Sequence, residues 1–443
     1  MGKMVSRLSI KDKSKNVLKH LHLLGFIAHA HILLHEARCT FMFNRNYKHV
    51  LKRIRQKANS EKIKVLFLVG EPAKWKCQKL YEVMRDSEIF EPIVGLTAWN
   101  LQSEKFLPKD EDLDEFHRHA EAFFKSIGDK CVRTYTLFPR KTIELSTFSP
   151  DLVFYSEPWG PLKLQEPEVV SKYALTFYVP YFVPSHGNIK YEGHLEFHRF
   201  LYAYICMNEA WAKLFRDSWR WWECTTCFIG LGHPALDFFG MKTNDTSNEY
   251  IIYAPHFSIP HPNAKGRYVF PFATFPWSGK ALLEYAKSHP EQKWVFKPHP
   301  ILREYLEEYG FMSHDEVEDY YKAWETIGIA KYDSAYQDIF LHSRVLITDS
   351  CSFLTEYGAT GKPIIHLKRR DTGVNPLPPS KKVFDTFYDV YDLDQLQKTL
   401  TLVIESRYDP KYAERQKAIT EANISDGHAS DQIVNYLKRL LRR

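Results

Sequence analysis

The segment Arg344–Leu367 constrains the fold of this chain more than any other part of the sequence. Its first residues, Arg344–Thr348, form the β-branched, apolar run of a buried strand. A polar turn and a short helical stretch follow, Gly361 marks the end of that helix, and Ile364–Leu367 is typical of a second buried strand. Two buried strands joined by one helix predict a parallel α/β sheet.

The turn between this strand and helix has the composition of an anion site. Asp349, Ser350 and Ser352 are residue types that cap helices. The helix start would bring unpaired backbone N–H groups, the positive end of the helix dipole and two hydroxyl groups to one place. We expect this place to bind an anion such as a nucleotide diphosphate. The alternative is an ordinary capped helix in an α/β sheet.

The size and composition of the chain indicate a globular protein of more than one domain. Its 443 residues fit two domains with an added extension. The apolar content of 44% and the charged content of 26% are those of a soluble globular protein. We find no apolar stretch long enough to span a bilayer and no pattern of a secretory leader. The 7 cysteines, an odd number, favour a reducing cytoplasm over a disulfide framework.

Positive charge is concentrated in the first part of the chain. Residues 1–64 hold 15 Lys and Arg against 3 Asp and Glu, a net charge of +12, and the remaining residues carry −6. Histidines and charges interrupt the apolar stretch Val17–Phe43, which favours an amphipathic helix at a membrane surface. A cationic run that would meet anionic headgroups follows: Lys48, Lys52, Arg53, Arg55 and Lys57. The alternatives are a solvated helix pair packed on the main body and, without any binding motif to support it, nucleic acid.

From Ile63 onward the pattern alternates between strands and helices. A first series of predicted strands covers Ile63–Val69, Pro92–Leu96, Asp151–Tyr155, Ala174–Val179, Leu201–Cys206 and Cys227–Ile229. A second series covers Tyr250–Ala254, Lys293–Phe296 and the two strands described above. Two successive series predict two doubly wound parallel sheets that face each other across a cleft. The polar stretch Gly240–Glu249 is the best linker between them.

Four polar clusters fall just beyond the ends of predicted strands. They are Ser185–Gly187, Tyr253–His256, Lys297–Pro300 and Asp349–Ser352. Ligands of open parallel sheets bind beyond the carboxyl ends of the strands, so we expect these clusters to line one cleft. The alternative for each histidine is a hydrogen-bonded loop residue, and the alternative for Lys297 is a surface lysine lying over the sheet edge.

Other residues that suggest metal or cofactor chemistry lack the necessary context. The CTTC sequence at 224–227 has no further ligand pair at zinc spacing and no thioredoxin-like surroundings. His256 and His261 lack an H-E-x-x-H helix or a carboxylate at useful spacing. The absence of a Walker A or G-x-G-x-x-G sequence argues against a P-loop kinase and a dinucleotide dehydrogenase. We therefore predict no metal and no cofactor.

Taken in order, the motifs resemble those of the CDP-glycerol glycerophosphotransferase family, the teichoic-acid and capsule polymerases and primases of bacteria. The matching segments are SHG (185–187), LGHP with Asp237 (231–237), YAP (253–255), KPHP (297–300), TDSCSFLTEY (348–357), GKPII (361–365) and DGHAS (426–430). Two departures are Ser350-Cys351, where the family commonly has Tyr-Ser, and His256, where it commonly has Thr. These departures leave the identity of the transferred group open.

The resemblance implies a GT-B-like α/β fold, with two Rossmann-like doubly wound domains facing across a cleft and a basic helical N-terminal extension. We expect the extension over residues 1–61, an acceptor domain over 62–245 and a nucleotide-donor domain over 246–443. The resemblance also implies peripheral attachment to the inner face of the cytoplasmic membrane, which agrees with an anionic membrane surface as the partner of residues 1–60. Members of the family generally use no dinucleotide and no structurally bound metal.

The resemblance further implies roles for individual residues. It assigns the general base to His186 and a second required histidine to His299. Glu356 is expected to hold a ribose hydroxyl, and its alternative is an exposed helix residue. The full predicted binding set is Lys297, Asp349, Ser350, Ser352, Glu356, Asp426, Gly427 and Ser430.

The predicted activity is transfer of an alditol phosphate, glycerol phosphate first, from a CDP-linked donor to a hydroxyl of a lipid-linked or glycan acceptor. His186 would accept the proton of that hydroxyl, while the helix start, Lys297 and His299 stabilise charge on the phosphoryl oxygens. Rival functions are glycosyl transfer from a nucleotide sugar such as CMP-Kdo, nucleotide-sugar 2-epimerisation, and a non-catalytic membrane-docking scaffold. The alditol, the acceptor, the number of units added and the number of subunits stay open.

Overall fold

The structure is a computed structural model of the chain. It describes residues 5–98, 110–137, 139, 141–158, 162–183, 196–219, 227–240, 250–259, 272–330, 336–371, 376–424 and 427–443. Within these ranges, the side chains of residues 5–29, 110–112, 196, 240 and 352 are not described. The predicted linker over Gly240–Glu249 lies almost entirely outside the described residues.

The described residues form an alternating series of strands and helices. The strands are β1 (Ile63–Val69), β2 (Phe90–Leu96), β3 (Cys131–Arg133), β4 (Tyr135–Thr136), β5 (Lys141–Thr142), β6 (Leu152–Tyr155), β7 (Leu175–Tyr178), β8 (Ala203–Cys206), β9 (Cys227–Gly230), β10 (Tyr250–Ala254), β11 (Lys293–Phe296), β12 (Ile329–Ala330), β13 (Ser343–Thr348), β14 (Ile364–Leu367) and β15 (Tyr388–Val390). The helices are α1 (Val5–Arg55), α2 (Gln78–Arg85), α3 (Asp110–Ser126), α4 (Pro167–Val170), α5 (Glu209–Ser218), α6 (Asp237–Gly240), α7 (Phe275–Ser288), α8 (Leu302–Glu308), α9 (His314–Ile327), α10 (Gln337–Leu341), α11 (Cys351–Gly358), α12 (Lys381–Phe384), α13 (Leu393–Leu400), α14 (Tyr412–Ala422) and α15 (Ala429–Leu441).

The first lobe, which comprises the elements from β1 to β9, is built on a sheet of seven parallel strands. Their order is β3-β2-β1-β6-β7-β8-β9, and β4 and β5 form a separate antiparallel pair. The central strands are apolar runs because both faces of the sheet are covered, and in β1 every residue except Lys64 is buried. The strand order reverses between β1 and β6, which is where open α/β sheets bind ligands.

The second lobe, which comprises the elements from β10 to β15, is built on six parallel strands in the order β12-β11-β10-β13-β14-β15. Its order reverses between β10 and β13. Every predicted strand is present, and four of them, β1, β10, β11 and β14, match the predicted bounds residue for residue. The predicted class, two doubly wound parallel α/β sheets, is therefore confirmed.

The basic extension forms one helix, α1, whose end belongs to the first lobe. Val50, Leu51 and Ile54 lie in the core under the first sheet. Further toward the start of the helix, Glu36 accepts a hydrogen bond of 2.6 Å from Arg199. Cys39 and Phe43 of the same helix form a small apolar cluster with Phe200. Among the described residues, no helix is both long enough and apolar enough to cross a membrane.

The two lobes share apolar packing. One continuous core cluster runs from Leu68 and Tyr155 in the first lobe to Ile252 and Leu346 in the second. The last helix, α15, which the predicted division places in the donor domain, packs against the core of the first sheet through residues such as Leu437. We keep the boundaries at residues 61 and 245 as a proposal.

Candidate functional site

The carboxyl ends of β10, β11 and β13 bring three of the predicted polar clusters to one edge of the second sheet. Because β10 pairs with both β11 and β13, the chain leaves these strands at neighbouring positions. The backbone N–H of Lys297 donates to the carbonyl of Tyr253 at 2.8 Å, and that of His299 donates to the carbonyl of Pro255 at 3.0 Å. The three clusters therefore form one surface at the topological switch point.

Asp349 joins the loops of this surface rather than capping α11. Its carboxylate accepts hydrogen bonds from the backbone N–H of His256 at 2.7 Å and from the N–H and hydroxyl of Thr274 at 2.9 and 2.7 Å. Burial raises the pKa of Asp349 to about 6, and these hydrogen bonds act in the opposite direction. The expectation that Asp349 caps the helix is wrong, because its acceptors are used by two other loops.

Ser350 holds the N-cap position of α11 in an extended conformation. Among the described residues, its side chain accepts no capping hydrogen bond from the helix, so the predicted hydroxyl cap is not formed. Its backbone N–H donates to the Thr348 hydroxyl at 2.9 Å, and that hydroxyl donates to the carbonyl of Ala254 at 2.6 Å. These bonds fix the direction in which α11 leaves β13. Ser352 lies in the first turn of the helix, but its side chain is not described.

Two histidines and a lysine lie on the loops after β10 and β11, at the same edge of the second sheet as the start of α11. The Nδ1 atom of His299 accepts from the backbone N–H of Ile301 at 3.4 Å, so the neutral ring carries its proton on Nε2. Burial, assisted by the charge of Lys297, lowers the pKa of His299 to about 4. Lys297 is only 5% exposed, which excludes the surface-lysine alternative. The arrangement presents a neutral N–H donor and an ammonium group on the same loop, both suited to phosphoryl oxygens.

The ring of His256 packs near the ring of His299. Its ring lies 5.6 Å from that of His299, centroid to centroid, and its Nδ1 atom is 2.5 Å from the Ser258 hydroxyl. Burial and the neighbouring His299 lower the pKa of His256 to about 3. His256 is therefore a neutral packing residue that supports His299.

Glu356 is buried inside a contact between the two lobes. It is 1% exposed, which excludes the alternative of an exposed helix residue. Its Oε2 atom accepts a hydrogen bond from the Tyr336 hydroxyl, and its Oε1 atom lies 3.5 Å from the ammonium group of Lys76, which belongs to the first lobe. The carboxylate is thus placed where the lobes meet.

In the first lobe, His233 of the LGHP motif faces the same region. Its Nε2 atom donates to the carbonyl of Pro180 at 2.8 Å. Burial is the main cause that lowers the pKa of His233 to about 4, and the charge of Lys76 contributes. The predicted base, His186, lies outside the described residues. Its assignment stays a prediction.

The described part of the DGHAS segment leads into α15 and contacts Asp237. Asp426 lies outside the described residues, and Gly427 adopts a left-handed backbone with φ of 78°. The Asp237 carboxylate accepts from the backbone N–H groups of Ala429 and Ser430, both at 2.8 Å. An anion would have to compete with this carboxylate at the helix start. The roles of Gly427 and Ser430 as donor contacts stay predictions.

One group of potential metal ligands, Glu307, His314 and Glu318, lies together on α8 and α9 among the residues that the structure describes. The Glu307 carboxylate, 3.1 Å from the ring of His314, raises the pKa of this histidine, and Arg303 pairs with Glu318. Both contacts favour ion pairing over metal ligation. We assign no metal role to this group.

The sequence analysis missed three residues that build the site: Lys76, Tyr336 and Thr274. Lys76 follows β1, at the same kind of position as the clusters that were found, so the strand-end rule applied to the first sheet would have identified it. Tyr336 and Thr274 carry no local signal, because the residues that they contact are distant in sequence.

Three buried histidines should make the protein sensitive to acid. Burial lowers the pKa values of His117 and His233 to about 4 and that of His256 to about 3, below the unfolded value of about 6.5. Their contribution to stability is complete above pH 6.5 and is lost as the pH falls toward about 4, because the unfolded chain then binds more protons. We expect a loss of roughly 3 kcal/mol per histidine over this range, partly opposed by Asp349.

Urea unfolding measured at pH 7 and pH 5 tests this dependence. His233→Gln should flatten the pH profile, whereas His119→Ala, which changes a histidine whose side chain is 80% exposed, should leave it unchanged. Equal unfolding free energies at the two pH values would contradict the assignment of these histidines as neutral in the folded state.

Solved structures with the same fold cover most of the chain. No protein-family model matches the sequence, and no curated protein is significantly similar to it. The wall teichoic acid polymerase TagF aligns at 13% identity with a TM-score of 0.52, over 92% of this chain and 98% of that chain. A TagF structure soaked with CDP-glycerol aligns at 14% identity with a TM-score of 0.51, over 92% of this chain and 98% of that chain.

A second group of similar structures consists of sugar-nucleotide epimerases. A putative UDP-N-acetylglucosamine 2-epimerase from Listeria monocytogenes aligns at 15% identity with a TM-score of 0.52, over 86% of this chain and 97% of that chain. At such low identity these similarities establish the fold alone. The chain therefore has the GT-B architecture that the motif resemblance implies, and it shares this architecture with a wall teichoic acid polymerase and with sugar-nucleotide epimerases.

Proposed function

We propose that the protein is a transferase that moves an alditol phosphate, glycerol phosphate first, from a CDP-linked donor to a hydroxyl of a lipid-linked or glycan acceptor. One observation carries the proposal: the start of α11, the buried Lys297 and the neutral His299 lie at one edge of the second sheet. This combination suits an oxygen-rich anion more than a neutral sugar ring. The shared fold with a polymerase that was soaked with CDP-glycerol supports the choice of donor.

The proposed reaction is a displacement at phosphorus. His186 removes the proton of the acceptor hydroxyl, and the resulting oxygen attacks the distal phosphorus of the donor. The bond from that phosphorus to the bridging oxygen breaks, CMP leaves with the electron pair, and a phosphodiester forms. Lys297, the Nε2–H of His299 and the backbone N–H groups at the start of α11 stabilise the charge on the phosphoryl oxygens.

Parallel incubations with CDP-glycerol, CDP-ribitol, CMP-Kdo and UDP-N-acetylglucosamine test this function. With a membrane fraction as acceptor source, we expect CMP release from a CDP-alditol and incorporation of the alditol phosphate into the acceptor. CMP release from CMP-Kdo alone would indicate glycosyl transfer instead. Failure to bind any of the four compounds would favour a non-catalytic scaffold.

Nucleotide-sugar 2-epimerisation is the second candidate, because an epimerase shares the fold and one carboxylate is suitably placed. Glu157 lies two residues beyond the end of β6, at the switch point of the first sheet, and is buried. Its Oε2 atom lies 2.9 Å from the ammonium group of Lys74. Conversion of UDP-N-acetylglucosamine to its 2-epimer without loss of nucleotide would identify this activity.

We also propose that the protein docks on an anionic membrane surface through an exposed stripe of α1. This stripe consists of exposed residues at successive spacings of four and three, which share one face of the helix: Leu34, Arg38, Phe41, Arg45, Lys48 and Lys52. Leu34 is 71% exposed and Phe41 is 70% exposed, which is unusual for apolar residues beside four cations. Such a face suits an interfacial helix on the inner side of the cell membrane.

Point variants test this stripe better than deletion, because the end of α1 is part of the core. The double variant Arg45→Glu/Lys48→Glu should bind vesicles of phosphatidylglycerol roughly tenfold or more weakly, since each cation near such a surface contributes about 1 kcal/mol. Lys381→Glu/Lys382→Glu, at exposed positions of the second lobe, is the matched control. Equal pelleting of both double variants would refute membrane docking by the stripe.

A further inference from the structure

A buried bridge of three polar side chains connects the two lobes. The ammonium group of Lys76, between β1 and α2 of the first lobe, donates to the Tyr336 hydroxyl of the second lobe. That hydroxyl donates to the Glu356 Oε2 atom, and the ammonium group lies 3.5 Å from the Oε1 atom. The same ammonium group lies 4.3 Å from the centroid of the Tyr336 ring. Each member thus contacts both others.

The burial of this bridge makes its members interdependent. All three side chains are at least nine-tenths buried. Burial lowers the pKa of Lys76, and the Glu356 carboxylate opposes that effect. A buried ammonium group is stable only while it has an opposite charge and hydrogen-bond acceptors. Any ligand that takes over Glu356 must therefore also provide a new partner for Lys76.

Glu356 stands at a distance from the helix start that one nucleoside diphosphate can span. It lies five residues beyond Cys351, the first residue of α11, which corresponds to about 7 Å along the helix axis. In a nucleoside diphosphate, the ribose hydroxyls and the phosphates are separated by a comparable distance. A diphosphate at the helix start would thus bring ribose hydroxyls to Glu356, where they would compete with Tyr336 and Lys76.

We propose that Lys76 and Tyr336 are positioning residues for the donor. The bridge holds Glu356 and joins the lobes. When the nucleoside diphosphate binds, its ribose replaces Tyr336 and Lys76 at the carboxylate, and the Lys76 ammonium group moves to the negatively charged diphosphate. Binding of the nucleoside diphosphate to the second lobe is thereby coupled to its contact with Lys76 of the first lobe. The inference rests on the proposed function only in requiring a nucleoside diphosphate at α11.

Calorimetric binding of CDP, UDP and cytidine tests the transfer of the ammonium group. For Lys76→Met we expect CDP binding at least tenfold weaker than in the wild type, with cytidine binding unchanged or tighter, because a charge-assisted hydrogen bond to phosphate is lost. The control is Lys79→Met, which changes an exposed lysine three residues away that pairs with Glu82. Wild-type affinity of Lys76→Met for CDP would overturn the inference.

Tyr336→Phe provides a second variant that keeps the ring and removes only the hydroxyl. It should bind cytidine more tightly, because the ribose then has one competitor fewer for Glu356. Weaker cytidine binding by this variant would show that the hydroxyl contacts the ligand instead, and would also overturn the inference.

The bridge itself can be tested separately by thermal unfolding. Lys76→Met and Glu356→Gln should each lower the midpoint temperature of unfolding, because each single change leaves a partner buried without its counter-charge. The double variant should lower the midpoint by clearly less than the sum of the two single effects. Additive losses would show that no bridge exists. If the wild type binds neither CDP nor UDP, the proposed function fails together with the transfer step. If UDP replaces CDP and Lys76→Met weakens UDP binding, only the assigned donor fails.

Discussion

Replacing His299 with alanine should lower turnover roughly 100- to 1000-fold and leave the protein folded. The half-buried ring lies beside Lys297 and presents its Nε2–H at the edge of the second sheet. Because burial and Lys297 lower its pKa to about 4, the ring is a neutral donor at cellular pH. A donor fixed at a position where phosphoryl charge develops acts mainly on the transition state, so the loss should appear in kcat more than in KM.

The measurement is steady-state release of CMP from the CDP-alditol that the substrate panel identifies. His314→Ala, on the surface of the same lobe, serves as the control and should keep wild-type kinetics. The predicted base His186 is tested in the same way, and His186→Ala should lose activity of the same order. Near-wild-type turnover of His299→Ala, with unchanged circular dichroism, would exclude its assigned role.

Replacing Asp349 with alanine should destabilise the protein by about 3 kcal/mol or more. Three hydrogen bonds from His256 and Thr274 end on this buried carboxylate, and their donors would be left in an apolar interior. The same change would separate the loop after β10 from the start of α7, so the surface beside α11 would lose its shape. Asp349→Asn is not a neutral replacement, because its amide group would direct N–H toward one of the donors.

Urea unfolding at pH 7 measures this loss, and Asp338→Ala is the matched control. Asp338 lies 11 residues earlier in the same lobe, its side chain is 88% exposed, and its replacement should change the unfolding free energy by less than about 0.5 kcal/mol. An effect of Asp349→Ala as small as that of the control would show that the three hydrogen bonds do not hold the loops together.

The strands were predictable because of where they lie in the sheets. Central parallel strands are buried on both faces, so β1, β10, β11 and β14 appear in the sequence as continuous apolar runs with defined ends. The strands that the sequence did not reveal have two or three residues each: β3, β12 and β15 are edge strands of the two parallel sheets, and β4 and β5 form the separate pair. An edge strand is paired on one side only, so its residues need no sustained apolar pattern.

The site was predictable as a set of positions but not as a set of contacts. Lys297, His299 and Asp349 were found because they follow strands, and strand ends meet at one edge of a parallel sheet. The partners of Asp349 lie 93 and 75 residues away in the sequence, and Tyr336 lies 260 residues from Lys76. No local pattern encodes such pairs, so a residue typical of helix caps was assigned to the nearest helix.

The sequence by itself determined the two-sheet architecture and the edge at which a ligand would bind, because hydrophobic periodicity and strand ends are local properties of the chain. Only the tertiary structure decided that Asp349 joins two loops, that Asp237 occupies the start of α15 and that Lys76 reaches Glu356 from the other lobe. These contacts depend on how distant elements pack, and the burial that gives them their strength arises only when the lobes are assembled.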